Sequence, residues 1–147
     1  MKIYIASSFK LCERVEAISN ILESEGHEIT VKWWNRTYLI KGEGEVSTQI
    51  LKIRNDLLPP DIFYSLPECK LSYESDFKGV KDADVFLFVA DTKPRNYSGA
   101  NIELGIALSD NKPCYYLGRL PNSVLYYPVK RCRDIWEFLD RLDRIGD

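Results

Sequence analysis

A doubly wound α/β domain built on a mostly parallel five-stranded sheet is the fold this sequence predicts, and three observations carry the prediction. Short runs of β-branched and aromatic residues alternate along the chain with stretches in which apolar residues recur at helical spacing. One of those runs, "DVFLFVA" from Asp84 to Ala90, is continuously apolar after its first residue, as suits a central parallel strand covered on both faces. The length, 147 residues, suits one domain with a core of its own and leaves no need for disulfides or metals to hold it together.

The elements follow in order. "KIYIA", Lys2 to Ala6, reads as the first strand, and "SSF" as the loop after it. Leu11, Val15, Ile18 and Leu22 then recur at helical spacing, and Gly26 ends that helix. "EITVKWW", Glu28 to Trp34, alternates Ile29, Val31 and Trp33 as a second strand, which completes a β-α-β unit. Residues 35–66 are poorly patterned: "KGEGE" is flexible, "STQILKIRNDLL" suits one helix, and "PPDIFYSLP" breaks it because proline has no amide hydrogen to donate. This stretch reads as an excursion over one edge of the fold. A helix then starts at Pro67, a favoured first-turn residue, and runs through Tyr73, Phe77 and Val80 to about Asp82. After the central strand come the loop "DTKPRNY", a helix from Gly99, the strand "PCYYLG", and a last helix, "RDIWEFLDRLDRI", with Ile135, Leu139 and Leu142 on one face. Such alternation implies helices on both sides of a parallel sheet, the Rossmann/flavodoxin-like arrangement, in one domain over residues 1–147.

Composition narrows the function. A net charge of -2 argues against a general grip on nucleic-acid polymers, and the longest apolar runs are strand-length, far short of the ~20 residues of a membrane-spanning helix. A small soluble ligand is the expected partner. Neither a signal peptide nor an anchor is visible, and Cys12, Cys69, Cys114 and Cys132 lie far apart without a C-x-x-C pair, so reduced thiols in a cytoplasmic protein are expected. His27, the only histidine, sits in a turn-like stretch, so no histidine-based zinc site can be assembled; neither metal nor cofactor is expected.

In an α/β sheet of this kind the ligand lies beyond the carboxyl ends of the strands. That rule gathers "ASSF", "DTKPRNYSG" and the loop after Trp34 at one rim. Glu103 is the only charged residue in the apolar segment from Gly99 to Leu108. Burying a carboxylate costs several kcal/mol unless it is hydrogen-bonded, paired or beside a cavity. It comes too late in the helix for a capping box, because three residues after Ser98 is Asn101. Ser98 and Gly99 precede the helix, where free amides and a hydroxyl suit a sugar hydroxyl or a 5'-phosphate, although Ser98 also fits a plain helix cap. Lys10, Lys93 and Arg95 lie near the same rim, and Trp33 and Trp34 offer either stacking surface or core.

"IYIASSF", "SDFKGVKDADVFLFV" and "SGANIELGIALSDNKP" together resemble the nucleoside 2-deoxyribosyltransferase family, including its deoxynucleoside 5'-phosphate N-hydrolase branch. The resemblance covers the first strand and helix and residues 76–117, and leaves residues 35–66 unmatched. It implies that Glu103, in "ELG", is a nucleophile that attacks the anomeric carbon and holds the sugar as a covalent ester. Asp76, in "ESDFKGV", matches the second carboxylate, which assists proton delivery to the departing base. Tyr4 matches the tyrosine that orients the nucleophile. The first loop, with Ser7, Ser8 and Phe9, departs from the glycine of many relatives, and together with Ser98 and Gly99 it is expected to bind substrate.

The resulting expectation is cleavage of the N-glycosidic bond of a 2'-deoxynucleoside or its 5'-monophosphate, with transfer of the sugar to a second base or to water. The alternatives are a non-catalytic nucleotide-binding or signalling module on the same fold, and an NAD glycohydrolase like those of TIR-like domains. A homodimer or larger assembly is also expected, because relatives assemble and because Trp136, Phe138 and Leu139 surround more of the last helix than one core-facing stripe requires.

Overall fold

Five strands form one parallel sheet in the computed structural model, which describes residues 1–93 and 95–145. Residue 94, within the stretch "DTKPRNY" expected as a loop, and residues 146–147 of the expected 1–147 domain lie outside the described residues. The strands are β1 (Lys2–Ala6), β2 (Glu28–Ile29), β5 (Val85–Val89), β6 (Cys114–Leu117) and β7 (Lys130–Arg131), in the order β2-β1-β5-β6-β7. β1 and β5 pair from Ile3 with Val85 to Ala6 with Phe88. The chain first steps outward from β1 to β2, then returns to build the rest of the sheet on the other side of β1. The order therefore reverses between β1 and β5, and the crevice outside their carboxyl ends is the natural ligand position of this Rossmann/flavodoxin-like fold.

The apolar run of β5 is buried at every residue, and β1 from Ile3 onward is fully enclosed, so both faces of the sheet centre are covered. Phe86 and Phe88 each contribute roughly 1.5–3 kcal/mol by leaving water. α4 (Pro67–Asp82) and α5 (Ser98–Ser109) pack on each other and on β1. The close approach of α4 depends on Gly79, where an added Cβ would lie 2.2 Å from Val31 Cγ2 and 3.2 Å from Tyr4 Cδ2. α1 (Cys12–Ser24) buries Val15, Ile18 and Leu22. All four cysteines are free, and burial pushes the thiols of Cys114 and Cys132 up to about 12 and about 11, which keeps them protonated and unreactive.

One expectation is corrected, and two stretches without a sequence signal take definite form. The second strand ends at Ile29; Val31 and Trp33 continue into the core without strand pairing, and Trp33 Nε1 donates to the Ile5 carbonyl at 2.7 Å. The fifth strand is the exposed pair Lys130–Arg131, too short to display any alternation. Residues 35–66, the poorly patterned excursion, carry regular structure, including a helix where "STQILKIRNDLL" suits one. They contain the antiparallel hairpin of β3 (Thr37–Ile40) and β4 (Gly44–Ser47), α2 (Thr48–Leu57) and the single turn α3 (Pro60–Phe63). Tyr38, Ile40 and Val46 form a small core of their own with Leu51. Polar ties attach this unit to the domain: Thr48 Oγ1 lies 2.9 Å from the carbonyls of both Trp33 and Arg36, which share its one proton, and Arg54 bridges Glu43 and the buried Glu68.

α6 (Ile135–Ile145) turns Phe138 fully into the core and half-buries Leu139 against it, leaving Trp136 60% exposed. The apolar surplus expected to drive assembly therefore reduces on this helix to Trp136 and the partly exposed Ile145 at its end. No helix among the described residues is long and apolar enough to cross a membrane.

Candidate active site

A cavity of about 740 Å³ opens at the carboxyl edge of β1 and β5, where the strand order reverses. On its floor is Glu103, in the second turn of α5 and half-buried. The fully buried hydroxyl of Tyr4, on β1, donates to Glu103 Oε2, and the Tyr4 ring stacks on Phe86 with centroids 5.7 Å apart. Burial pushes the Glu103 carboxyl up to about 8; the Tyr4 hydrogen bond pulls it down, the nearby Asp76 raises it further and Arg36 lowers it. Burial, reinforced by the charges of Glu103 and Asp76, holds the Tyr4 hydroxyl well above its ordinary range, so it remains a donor.

Asp76 reaches the same cavity from α4. Arg36 Nη2 meets Asp76 Oδ1 at 3.1 Å, and the guanidinium also donates to Ser75 Oγ at 2.8 Å and Ser72 Oγ at 3.0 Å. The same guanidinium lies 5.0 Å from the centre of the Tyr38 ring. Burial raises the Asp76 carboxyl and outweighs the lowering by Arg36.

Polar and basic residues also line the cavity. Ser7, Ser8, Phe9 and Lys10 follow β1; Arg95, Asn96, Ser98 and Gly99 lead into α5. Ser7 Oγ donates to the Val89 carbonyl at 2.6 Å, which ties the two loops together and occupies the hydroxyl's proton. Ser8 Oγ accepts from the Lys10 amide at 3.3 Å. Ser98 is the first residue of α5 rather than its cap: the cap position is Tyr97, and Asn96 Oδ1 accepts from the Ser98 amide and hydroxyl. Gly99 and Ala100 follow, and amides in the first turn of a helix have no intrahelical acceptor, so they are available to an anion at this edge.

Every residue expected to act on substrate is therefore found around one cavity, except that Tyr4 lies beneath it, hydrogen-bonded to Glu103. Lys10 and Arg95 line it, Arg95 being paired with Asp91 at 2.8 Å, and Lys93 does not. Trp33 contributes an edge while serving the core, and Trp34 packs edge-on against it at 5.3 Å. Arg36, Tyr38, Thr48, Phe63 and Ser72 line the cavity as well, and the sequence pattern does not mark them. Four of these lie in the weakly patterned stretch, and no local spacing in the sequence ties Arg36 to a carboxylate 40 residues later. The i, i+4 spacing of Ser72 and Asp76 on α4 is the one legible signal among them.

No family model and no curated protein matches the chain at the sequence level. Solved structures do match its fold. The CMP N-glycosidase BcmB of Clostridium botulinum superposes with a TM-score of 0.57 at 16% identity, over 97% of this chain and 99% of that one. A 2-deoxyribosyltransferase from Bacillus psychrosaccharolyticus superposes with a TM-score of 0.59 at 21% identity, over 94% of this chain and 90% of that one. The fold is thus similar to those of a CMP N-glycosidase and a 2-deoxyribosyltransferase.

Proposed function

We propose that the protein is an N-glycosidase or glycosyltransferase of nucleosides, acting on a 2'-deoxynucleoside or its 5'-monophosphate through a covalent ester on Glu103. The observation that carries this reading is the meeting of Glu103 and Asp76 in one cavity at the strand-order reversal, with Tyr4 hydrogen-bonded to Glu103 from beneath. Ionised Glu103 attacks the anomeric carbon. The carbon–nitrogen bond breaks, its electron pair leaves with the base, and protonated Asp76 supplies the proton that neutralises the base. Water or a second base then attacks the same carbon from the vacated side, releasing Glu103, and Asp76 takes back a proton.

Burial raises the Asp76 carboxyl, the direction that suits a proton donor, and it also raises Glu103 to about 8, so Glu103 ionises against its burial; once ionised, its carboxylate stabilises the positive charge that develops on the sugar. Tyr4 keeps one oxygen of Glu103 hydrogen-bonded, which orients the other. Lys10, Arg95 and the first amides of α5 suit a 5'-phosphate; the aromatic Tyr38 and Phe63 suit a base.

The test is incubation with a panel of ribo- and deoxyribonucleosides and their 5'-monophosphates, with and without a free acceptor base, followed by chromatography. Free base without acceptor identifies a hydrolase, and exchange only with acceptor identifies a transferase. A panel that returns every substrate intact overturns the reading.

A further inference from the structure

Nine arginines occur in this chain of net charge -2. Six of them, Arg36, Arg54, Arg95, Arg133, Arg141 and Arg144, pair with carboxylates. Among the described residues the remaining three, Arg14, Arg119 and Arg131, have no carboxylate partner, and all three line a single second cavity of about 670 Å³, with Arg133 as a fourth. They arrive from separate places: α1, the loop after β6, β7 itself and the loop after β7. Asp134 is the one carboxylate among the lining residues, and its Oδ1 accepts from the Glu137 amide at 2.9 Å in the first turn of α6.

Gathering like charges is unfavourable unless a counter-charge joins them. The guanidinium fork matches phosphate oxygens two at a time, and several forks around one space suit adjacent phosphates better than a single anion. The volume falls in the range of small-molecule sites, and Tyr116, Leu120 and Ile135 give the cavity an apolar side. It is separate from the catalytic cavity but abuts it. Gly118, at φ +86, brings the β6 exit so near that an added Cβ would lie 2.1 Å from the Ala90 carbonyl oxygen; the Arg119 amide donates to the Asp91 carbonyl at 3.1 Å; and the Asp91 amide donates to the Tyr97 hydroxyl, which lines the catalytic cavity, at 2.7 Å.

We propose that this arginine-lined cavity is a second ligand site, for a small anion carrying two or more adjacent phosphates. It stands or falls independently of the glycosidase reading. The chemistry is shared by nucleoside triphosphates and inorganic polyphosphates, and the experiment distinguishes them.

Calorimetric titration of the full chain at low salt uses tripolyphosphate, ATP and inorganic phosphate as probes. Tripolyphosphate and ATP are expected to bind saturably and inorganic phosphate far more weakly. Tighter binding of ATP than of tripolyphosphate identifies a nucleotide site, and equal binding identifies a polyphosphate site. The double variant Arg119→Ala/Arg131→Ala should weaken tripolyphosphate binding roughly tenfold or more, while Lys78→Ala, on the exposed face of α4, should leave it unchanged. Should the alanine variant fold poorly, Arg119→Lys/Arg131→Lys retains the charge but loses the forks, and is expected to bind with intermediate affinity. The proposal is overturned if tripolyphosphate does not bind at about 1 mM, or if its binding survives both arginine variants unweakened.

Discussion

The hydroxyl of Tyr4, in the first strand, donates to the carboxyl of Glu103, a residue 99 positions later in the chain. The bond crosses from the sheet to α5 at the point where the strand order reverses, and it lowers a carboxyl that burial would otherwise drive higher. Tyr4→Phe should therefore shift the acid limb of the kcat/KM profile to higher pH and reduce kcat/KM at pH 7 by roughly tenfold, the share expected of one orienting hydrogen bond. A pH–rate series on both proteins checks it; an unmoved limb would show that the hydroxyl does not tune Glu103.

Glu103 also couples stability to pH. Its folded-state value of about 8 lies above the ordinary 4.5, so between those two the unfolded chain has released a proton that the folded chain still holds. Stability therefore falls as pH rises across that window, by at most about 1.4 kcal/mol per pH unit. Glu103→Gln keeps an acceptor for Tyr4 and does not titrate. Its melting temperature should match the parent near pH 5 and exceed it near pH 8, with base release abolished. Thermal melts at the two pH values decide the matter, and a variant that melts lower at both would make this carboxylate a structural partner.

Arg36 and Asp76 form the second electrostatic unit of the site. Asp76→Asn should slow cleavage by about 10²- to 10⁴-fold while substrate still binds, the range for one positioned proton donor. Arg36→Ala should act differently. It removes the pull that lowers Asp76, so the Asp76-dependent limb should move to higher pH, and it leaves Asp76, Ser72 and Ser75 without their shared partner at a cost of roughly 1–3 kcal/mol. Denaturant titration measures the stability loss and the pH–rate profile measures the shift.

Gly79 lies one helical turn beyond Asp76 on α4, against Val31 and Tyr4. Gly79→Ala has too little room, and relief requires α4 to move away from β1. The expected cost is about 1–3 kcal/mol, with a fall in kcat, because Asp76 moves with the helix while Glu103 does not. Parental kcat in a destabilised variant would show that the two carboxylates need no fixed separation.

The sequence by itself determined the parallel α/β class, the central strand, the limits of α4 and the charged outlier Glu103, because each of these is a local pattern. Continuous apolarity marks β5, the proline marks the first turn of α4, and a lone carboxylate in an apolar helix is visible without knowing its neighbours. Grouping Tyr4 and Asp76 with Glu103 came from a family likeness of short motifs. Only the tertiary structure decided what completes the site. Arg36 joins Asp76 through side chains 40 residues apart, and the hairpin, α2 and α3 close one wall of the cavity with residues whose order rests on ties to Trp33, Arg36 and Glu68. β7 is two exposed residues that pair only because β6 is already in place. The same holds for Arg14, Arg119 and Arg131: scattered charges in the sequence, they share a cavity only because the exits of β6 and β7 fold beside α1. Periodicity reports which face of an element meets a core; it carries no information on which distant element will stand opposite.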